Sequence, residues 1–386
     1  MQGIERTYCD VCIQALIGAW EGLMEASAAE ALRKVPYGKR DTLGLDAITE
    51  ITIGRRIAKF DGHALLITEE LDDQARRQWP TDSDPRKQPL MFLADPTDRS
   101  SVLKRFLETI SKDDPTATVS TCFARVGNPE QAWETQFEPP VSITGACSAI
   151  TCVRKGKIVF SCILNFISGT ICVATDIGVF WHKLGKHSDE TNRCLTLAKI
   201  AKDGRALGFP DTRELNYSAD DCRHFVTFLG KSGYRENFDD SRLFVENPEK
   251  YIHHDIPPGP SRVLYLSELQ NGHGPIGFIL ANGEKIGEWI HWLPFVKFAR
   301  NSDGGHALRA FEISLERPWT KEGMLMSTSP PYSLFGNEAR HLDMSRLRDF
   351  IRPSQFRTML VVVRHDNERI THVLEQHQYR EVTDSF

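Results

Sequence analysis

The chain has 386 residues, of which 40% are hydrophobic and 26% charged, so it has an ordinary globular composition and enough length for two domains. Its formal net charge of −5 gives no electrostatic reason to expect nucleic acid as a partner. No apolar run approaches the roughly 20 residues that a membrane span needs. The first residues, MQGIERTYCDVC, lack the basic start and apolar core of a signal peptide, and the sequence therefore predicts a cytoplasmic protein.

The nine cysteines are scattered along the chain, and several lie inside apolar, strand-like runs, as Cys152, Cys162 and Cys172 do. This pattern favours reduced thiols over a disulfide framework. Cys9 and Cys12 form a C-x-x-C, which is compatible with half a zinc site or with a redox pair. They also fit the apolar stripe of a first helix. Because no second C-x-x-C and no H-x-x-x-H follows, the helix interpretation is preferred.

Two helices are predicted at the start of the chain. Residues 5–34 are rich in Ala, Leu and Glu and predict one long helix. Apolar residues recur at helical spacing over 47–59, and Asp46 stands just ahead of them at an N-cap-like position. A carboxylate there can accept hydrogen bonds from the first helical turn.

A short apolar strand is predicted next, over residues 63–68. It ends at the acidic pair Glu69-Glu70. The stretch 78–88 is charged and broken by prolines, which predicts a surface loop.

A second apolar strand, Met91–Ala94, leads directly into a helix-like segment. Asp95 and Asp98 fall where the strand ends, and Ser100 and Ser101 fall where the helix starts. Carboxylates bind divalent cations, and the N–H groups at a helix N-terminus bind anions. The junction therefore predicts a site for a metal-bound phosphate.

The middle of the chain predicts a strand at 117–126 and a meander of strands from 148 to about 180. The character of the sequence changes after Gly185. The predicted domains are an N-terminal α+β domain with the metal site over 1–185, a C-terminal α/β domain with substrate contacts over 186–335, and a C-terminal extension over 336–386.

Beyond the predicted boundary, residues 284–300 predict a helix broken near Pro294. His253-His254-Asp255 could ligate a metal, but the surrounding prolines favour a solvated loop. Candidate strands occupy 307–315, 323–327 and 358–363.

The acidic residues near the ends of the predicted helix and strands are more informative as a set than singly. Singly, most acids at such positions are solvated caps. Jointly, Asp46, Glu69, Glu70, Asp95 and Asp98 form a set of hard oxygen donors, which suits Mg²⁺ rather than zinc.

At this point the sequence resembles the inositol monophosphatase and fructose-1,6-bisphosphatase superfamily of magnesium-dependent, lithium-sensitive phosphatases. That family carries an upstream Lys/Asp element, a Glu-Glu pair at a strand end, and D-P-[ILT]-D-G-[ST]. The similar elements here are Lys39 with Asp46, Glu69-Glu70, Asp95 to Ser100, and a strand meander that includes Ala174–Trp181. The resemblance implies an α/β (α+β) fold, a layered α/β/α/β/α sandwich of the sugar-phosphatase type.

The resemblance also implies two Mg²⁺ ions, for which Mn²⁺ can substitute. Glu70, Asp95 and the backbone carbonyl of Thr97 would hold the first ion, and Asp98 would share the second with Asp95. Three further residues take catalytic or relay roles in this scheme: Asp46, Glu69 and Ser100, with Ser100 passing the water's proton towards Asp46. The implied substrate contacts are Lys39, Arg99, Ser100 and Ser101.

Two positions depart from the family pattern. Arg99 stands where the family has Gly, which brings either an added phosphate contact or an obstruction, and the added contact is favoured. Ile290 stands where the family's late W-D-x-A-A motif supplies an acidic ligand to the second metal. Glu288 or His291 could replace that ligand from the same helix.

The sequence therefore predicts a hydrolase: a metal-dependent phosphomonoesterase that uses metal-activated water on a small polyol, sugar or nucleotide phosphate. The expected partner is that small phosphorylated substrate, with no nucleic acid and no membrane, and a homodimer is left open. The alternative is a catalytically degenerate relative that binds a phosphorylated ligand or acts as a scaffold, which Arg99 and Ile290 favour.

Overall fold

The computed structural model divides the chain into two compact units. The first comprises Met1–Ala206 and Gly259–Ser261, and the second comprises Leu207–Pro258 and Arg262–Phe386. The residues that the structure describes are 3–36, 42–68, 78–79, 88–126, 146–209, 224–228, 252–255, 260, 263, 276–282, 290–315, 326–327, 358–376 and 378–384.

The first unit combines helices with one mixed sheet. Its helices are α1 (Gly3–Glu25), α2 (Ala28–Leu32), α3 (Gly44–Phe60), α4 (Ser100–Ile110), α5 (Val119–Arg125), α6 (Glu190–Arg193) and α7 (Leu197–Asp203). Its strands are β1 (Leu65–Thr68), β2 (Gln78–Trp79), β3 (Leu90–Asp98), β4 (Cys147–Arg154), β5 (Lys157–Asn165), β6 (Thr170–Thr175), β7 (Gly178–Lys183) and β8 (Arg205–Ala206).

The sheet of the first unit has the strand order β2-β1-β3-β4-β5-β6-β7-β8 in the described residues. The β1–β3 pair is parallel, while β3 to β8 form an antiparallel meander. Every second strand residue, such as Phe92, Ala94 and Ile150, packs with α1 in one hydrophobic core. The indole N–H of Trp20 on α1 donates to the carbonyl of Phe166 at 3.0 Å, which fixes the helix against the sheet.

The predicted first helix is two helices. Ser27 interrupts it and forms a capping box: its hydroxyl accepts from the backbone N–H of Glu30, and the Glu30 carboxylate accepts from the N–H of Ser27. A capping box specifies a new helix start, so the Ala-rich stretch could not continue as one rod.

Two other local expectations are wrong. The stretch 117–126, predicted as a strand, contains helix α5, which Thr118 caps by accepting from the N–H of Thr121. The stretch 78–88, predicted as a loop, begins with strand β2, antiparallel to β1. In α5 the buried Val119, Cys122 and Phe123 recur at helical spacing, a period that short apolar runs leave ambiguous.

The predicted reduced thiols are confirmed where the chain is described, because eight cysteines there are free. Cys9 and Cys12 are fully buried on α1, and the Cys9 Sγ lies 4.0 Å from the Sγ of Cys162 on β5. Burial raises the pKa of both α1 thiols well above its ordinary value. The C-x-x-C therefore packs the core as neutral thiols.

The second unit is also mixed α/β. Its helices are α8 (Leu293–Phe298) and α9 (Glu368–Gln376). Its strands are β9 (Gly208–Phe209), β10 (His224–Phe228), β11 (Ile252–Asp255), β12 (Ile276–Asn282), β13 (Arg300–Asn301), β14 (Leu308–Leu315), β15 (Met326–Ser327), β16 (Thr358–Arg364) and β17 (Arg380–Glu381). The larger sheet has the order β11-β10-β12-β16-β14-β15, with β17 beside β14, while β9 pairs with β13 separately. The predicted α/β class is thus confirmed.

The division into units differs from the predicted domains. The first unit runs to Ala206 because α7 and β8 pack on its sheet. Strand β16, predicted within an extension, lies between β12 and β14 and is a central strand of the second unit's sheet.

One smaller expectation in the second unit is wrong and another is confirmed. His253-His254-Asp255 lies in β11, parallel to β10, and not in a loop. The predicted break near Pro294 is confirmed: residue 290 is helical, 291–292 form a turn, and α8 then begins with Pro294 in its first turn, where a missing N–H costs no hydrogen bond. Within the described residues, no helix has both the length and the apolar character needed to cross a membrane.

Candidate active site

The predicted strand-to-helix junction is confirmed, and a bulge shapes it. Strand β3 pairs Asp95 with Ala149 and Asp98 with Cys147. An advance of three residues along β3 therefore matches an advance of two residues along β4. The extra residue falls at Pro96-Thr97. A bulge tolerates proline, which has no N–H for the ladder. The hydroxyl of Ser148 donates to the carbonyl of Pro96 and so satisfies a backbone group at the bulge.

The bulge brings both aspartates to one face of the sheet. Ala149 and Cys147 are two residues apart on β4 and share a face, so their partners Asp95 and Asp98 share it too. The environment of Cys147 agrees. Burial first, and then the negative charges of Asp98 and Asp95, raise the pKa of this thiol well above its ordinary value, while Arg99 acts in the opposite direction. The two carboxylates and the guanidinium are therefore neighbours of one buried thiol.

Helix α4 begins immediately after this pair. Ser100 is its first residue, and the N–H groups of Val102 and Leu103 both donate to the carbonyl of Arg99. The N–H groups of Ser100 and Ser101 precede those bonds and have no acceptor within the helix. They stand where a helix N-terminus binds an anion.

Arg99, the N-cap of α4, has a left-handed backbone with φ 64° and ψ 33°. L-residues with a Cβ adopt this conformation at a cost of about 1–2 kcal/mol, whereas glycine adopts it freely. The conformation would thus explain why a glycine suits this position better than any residue with a Cβ. Arg99 keeps the turn despite its side chain.

Asp46 is buried, at 4% exposure, in the first turn of α3. It is the third residue of the helix, with Leu43 at the N-cap, so the N-cap-like placement is wrong by three residues. Its Oδ2 accepts from the N–H of Leu43 at 3.2 Å. This bond fixes the carboxylate on the helix end, as the glutamate of a capping box does.

Glu50, one turn after Asp46, was missed by the sequence analysis. It is 2% exposed and four residues further along, so it shares a face of α3 with Asp46. The sequence signal is the i, i+4 spacing of two acids in a helix whose other face is apolar.

Helix α3 also contacts the bulge through a pair of hydroxyls. Thr49 and Thr97 lie 2.8 Å apart, Oγ1 to Oγ1, and are 0% and 7% exposed. The hydroxyl of Thr49 donates within its own helix, with the carbonyls of Asp46 and Leu45 at 2.9 and 3.0 Å. The helix that carries Asp46 is thus joined to the segment that carries Asp95 and Asp98.

Several predicted site residues lie outside the described residues: Lys39, Glu69, Glu70 and Glu288. Ile290 and His291 are described in the second unit, where they are 2% and 0% exposed. Within the described part of the chain, no group of three or more His, Cys, Asp and Glu side chains could hold a metal ion. The assigned roles, including a replacement ligand for the second metal, stay predictions.

Comparison with known proteins returns solved structures only. No protein-family model and no curated protein matches the chain. The extragenic suppressor protein suhB from Bartonella henselae matches at 12% identity and TM-score 0.49, over 96% of this chain and 99% of that one. CysQ from Bacteroides thetaiotaomicron, described as a bacterial member of the inositol monophosphatase family, matches at 10% identity and TM-score 0.46, over 93% and 97%.

An inositol monophosphatase from Anabaena matches at 12% identity and TM-score 0.46, over 96% of each chain. The matched structures thus include members of the family that the sequence motifs resemble.

Proposed function

We propose that this protein is a metal-dependent phosphomonoesterase that acts on a small polyol, sugar or nucleotide phosphate. The observation that carries the proposal is the bulged Asp95–Asp98 segment, which places two carboxylates on one sheet face immediately before the N-terminus of α4. A cation-binding pair beside an anion-binding helix end suits a phosphate group and its counterion.

The donor chemistry fits Mg²⁺. The carboxylates of Asp95 and Asp98 and the carbonyl of Thr97 are hard oxygens within four residues, and Mg²⁺ binds through one or two carboxylates together with substrate phosphate. Glu70 would add a further carboxylate. When bound, such a cation lowers the pKa of a coordinated water and offsets negative charge on the phosphoryl group.

The chain's own groups supply the remaining work. The N–H groups of Ser100 and Ser101 bind phosphate oxygens at the start of α4. The Ser100 hydroxyl passes a proton towards the Asp46 carboxylate, which Leu43 holds in orientation. Arg99 adds a cationic contact to the phosphate from the helix N-cap. Lys39 and Glu69 complete the substrate and catalytic set in this scheme.

The direct test is phosphate release from a panel of inositol, sugar and nucleotide monophosphates, with and without Mg²⁺ or Mn²⁺. Asp95→Asn should lower the metal-stimulated rate at least about 100-fold, because it removes a charge from the pair that holds the cation. Asp113→Asn, at an exposed aspartate after α4, is the matched control and should leave the rate unchanged. Wild-type protein that releases no phosphate from any substrate under either metal would sink the proposal.

A second candidate function, phosphate-ligand binding without turnover, is favoured by Arg99 at the glycine position and by Ile290. It predicts a raised Tm with phosphorylated ligands and no product. The structure makes Ile290→Asp a poor reversal, because an acid at a 2% exposed position carries a large desolvation cost. Arg99→Gly is the better reversal, because glycine fits the φ of 64°. Turnover gained by Arg99→Gly alone would assign the wild-type chain to the binding class.

A further inference from the structure

We propose that the Thr49–Thr97 hydroxyl pair is a positioning device that holds the Asp95–Asp98 bulge on α3 and thereby presets its oxygen donors for a divalent cation. This inference rests on the proposed function, since it concerns the same donors. Neither threonine touches the substrate in this scheme. Both act through the backbone of the bulge.

Thr97 and the two aspartates leave the bulge in different directions. Asp95 and Asp98 pair with Ala149 and Cys147 and face one side of the sheet, while the intervening Thr97 reaches α3 on the other side. A bulge is a local departure from the ladder, and its extra residue needs another partner. Thr97 finds that partner in Thr49, at 2.8 Å.

Thr49 is a rigid partner for the bulge. Thr49 is fully buried, and its hydroxyl is directed by the carbonyls of Leu45 and Asp46 on its own helix. A hydroxyl that donates to the helix accepts in return, so Thr97 is the donor in the pair. Ser148 holds the preceding carbonyl of Pro96 from β4. Two consecutive bulge residues are thus held, one by a neighbouring strand and one by a helix.

The Thr97 carbonyl is a predicted cation ligand, and its position depends on where its side chain is held. Replacing the 2.8 Å oxygen contact with a contact between methyl groups, which prefer about 3.5–4.0 Å, moves the segment by about 1 Å. Residues that orient metal ligands typically change metal affinity about 10–100-fold when they are lost.

A double-mutant cycle tests the proposal. The variants are Thr49→Val, Thr97→Val and the pair together, with Mn²⁺ affinity, Tm and hydrolysis rate measured for each. Thr49→Val leaves the Thr97 hydroxyl without its acceptor and should lose both stability and about 10-fold or more in Mn²⁺ affinity. Thr97→Val leaves Thr49 bonded to its own helix and should lose Mn²⁺ affinity with a smaller loss of stability. The double variant should recover the Tm lost in Thr49→Val, because the unpaired Thr97 hydroxyl is gone, while its Mn²⁺ affinity stays low.

Two controls separate positioning from general damage. Thr49→Ser keeps the hydroxyl and should retain wild-type Mn²⁺ affinity. Thr52→Val removes a hydroxyl whose hydrogen bond within the described residues is to the carbonyl of Ile48 on the same helix, at 2.8 Å, and should leave Mn²⁺ affinity unchanged.

The outcomes distinguish this inference from the proposed function. Val variants that bind Mn²⁺ as tightly as wild type, or a double variant that regains affinity together with Tm, would overturn the positioning role alone. Wild-type protein that binds Mn²⁺ but releases no phosphate would overturn the phosphatase proposal alone, and the affinities would still support positioning. Wild-type protein that binds no Mn²⁺ would overturn both.

Discussion

At the scale of single residues, the site is defined by backbone conformation as much as by side chains. Arg99 has φ 64° at the point where strand β3 turns into α4. This conformation is strained for any residue with a Cβ. Arg99 therefore combines a local conformational cost with a positively charged side chain at the N-terminus of α4, where the phosphate is proposed to bind.

Arg99→Gly should raise the free energy of unfolding by about 1 kcal/mol, because it removes the left-handed strain. It should also raise the KM of the phosphorylated substrate several-fold, because a charge-assisted contact is lost. Lys155→Gly is the matched control, since Lys155 has φ 51° in the exposed turn between β4 and β5. It should bring a similar gain in stability with no change in KM. A fall in KM for Arg99→Gly would mean that the arginine obstructs the phosphate.

At the scale of elements, helix α3 carries Asp46 and contacts the segment that carries Asp95 and Asp98. The start of this helix depends on a glycine. Gly44, its first residue, is packed so closely on α2 that an added Cβ would overlap the carbonyl oxygen of Glu30. The N–H of Gly44 also donates to the carbonyl of Arg33 at 2.8 Å. The position of Asp46, two residues on, therefore depends on this contact between backbones.

Gly44→Ala should destabilise the protein by about 1–3 kcal/mol or more and lower the hydrolysis rate, because the backbone of α2 cannot yield as a side chain can. Gly54→Ala is the matched control in the same helix, where the nearest atom to an added Cβ, the Cδ2 of Leu66, is 3.8 Å away. That change should stabilise the helix by up to about 1 kcal/mol. Chemical denaturation measures the free energy of unfolding of both variants, and equal values for the two would contradict the assigned packing.

Many of the helices and strands, and the junction between β3 and α4, could be predicted from local sequence patterns. The apolar run before Asp95 and the serines after Asp98 define a strand end and a helix start within ten residues, so the sequence alone indicates them. The bulge, the Thr49–Thr97 contact and the burial of Glu50 depend on how distant segments pack. Thr49 and Thr97 are 48 positions apart, and no periodicity encodes such a pair. Helix α5 was not predicted, because the apolar stretch around its N-cap, Thr118, is too short for a helical period to be recognised.

At the scale of the whole molecule, strand β16 near the end of the chain has a structural role. Strand β16 pairs with β12 on one side and β14 on the other, over five and seven residue pairs. Leu360, Val361, Val362 and Val363 are all 0% exposed. A central strand buried on both faces reads as a continuous apolar run, and such a strand supports its neighbours' backbone hydrogen bonds as well as their packing.

A chain that ends at residue 357 should therefore lose the folded second unit. Without β16, the strands β12 and β14 each lose a hydrogen-bonding partner and four buried apolar side chains. Hydrogen exchange followed by mass spectrometry should show their amide groups exchanging at rates close to those of the unfolded chain, while full-length protein protects them. Glu375→Gln is the matched control in the same C-terminal stretch, because it removes only an ion pair between a 53% exposed carboxylate and Arg309 at 3.0 Å. That loss is worth about 0–1 kcal/mol and should leave the protection of both strands intact. If β12 and β14 stayed protected in the shortened chain, residues 358–386 would be an appendage after all.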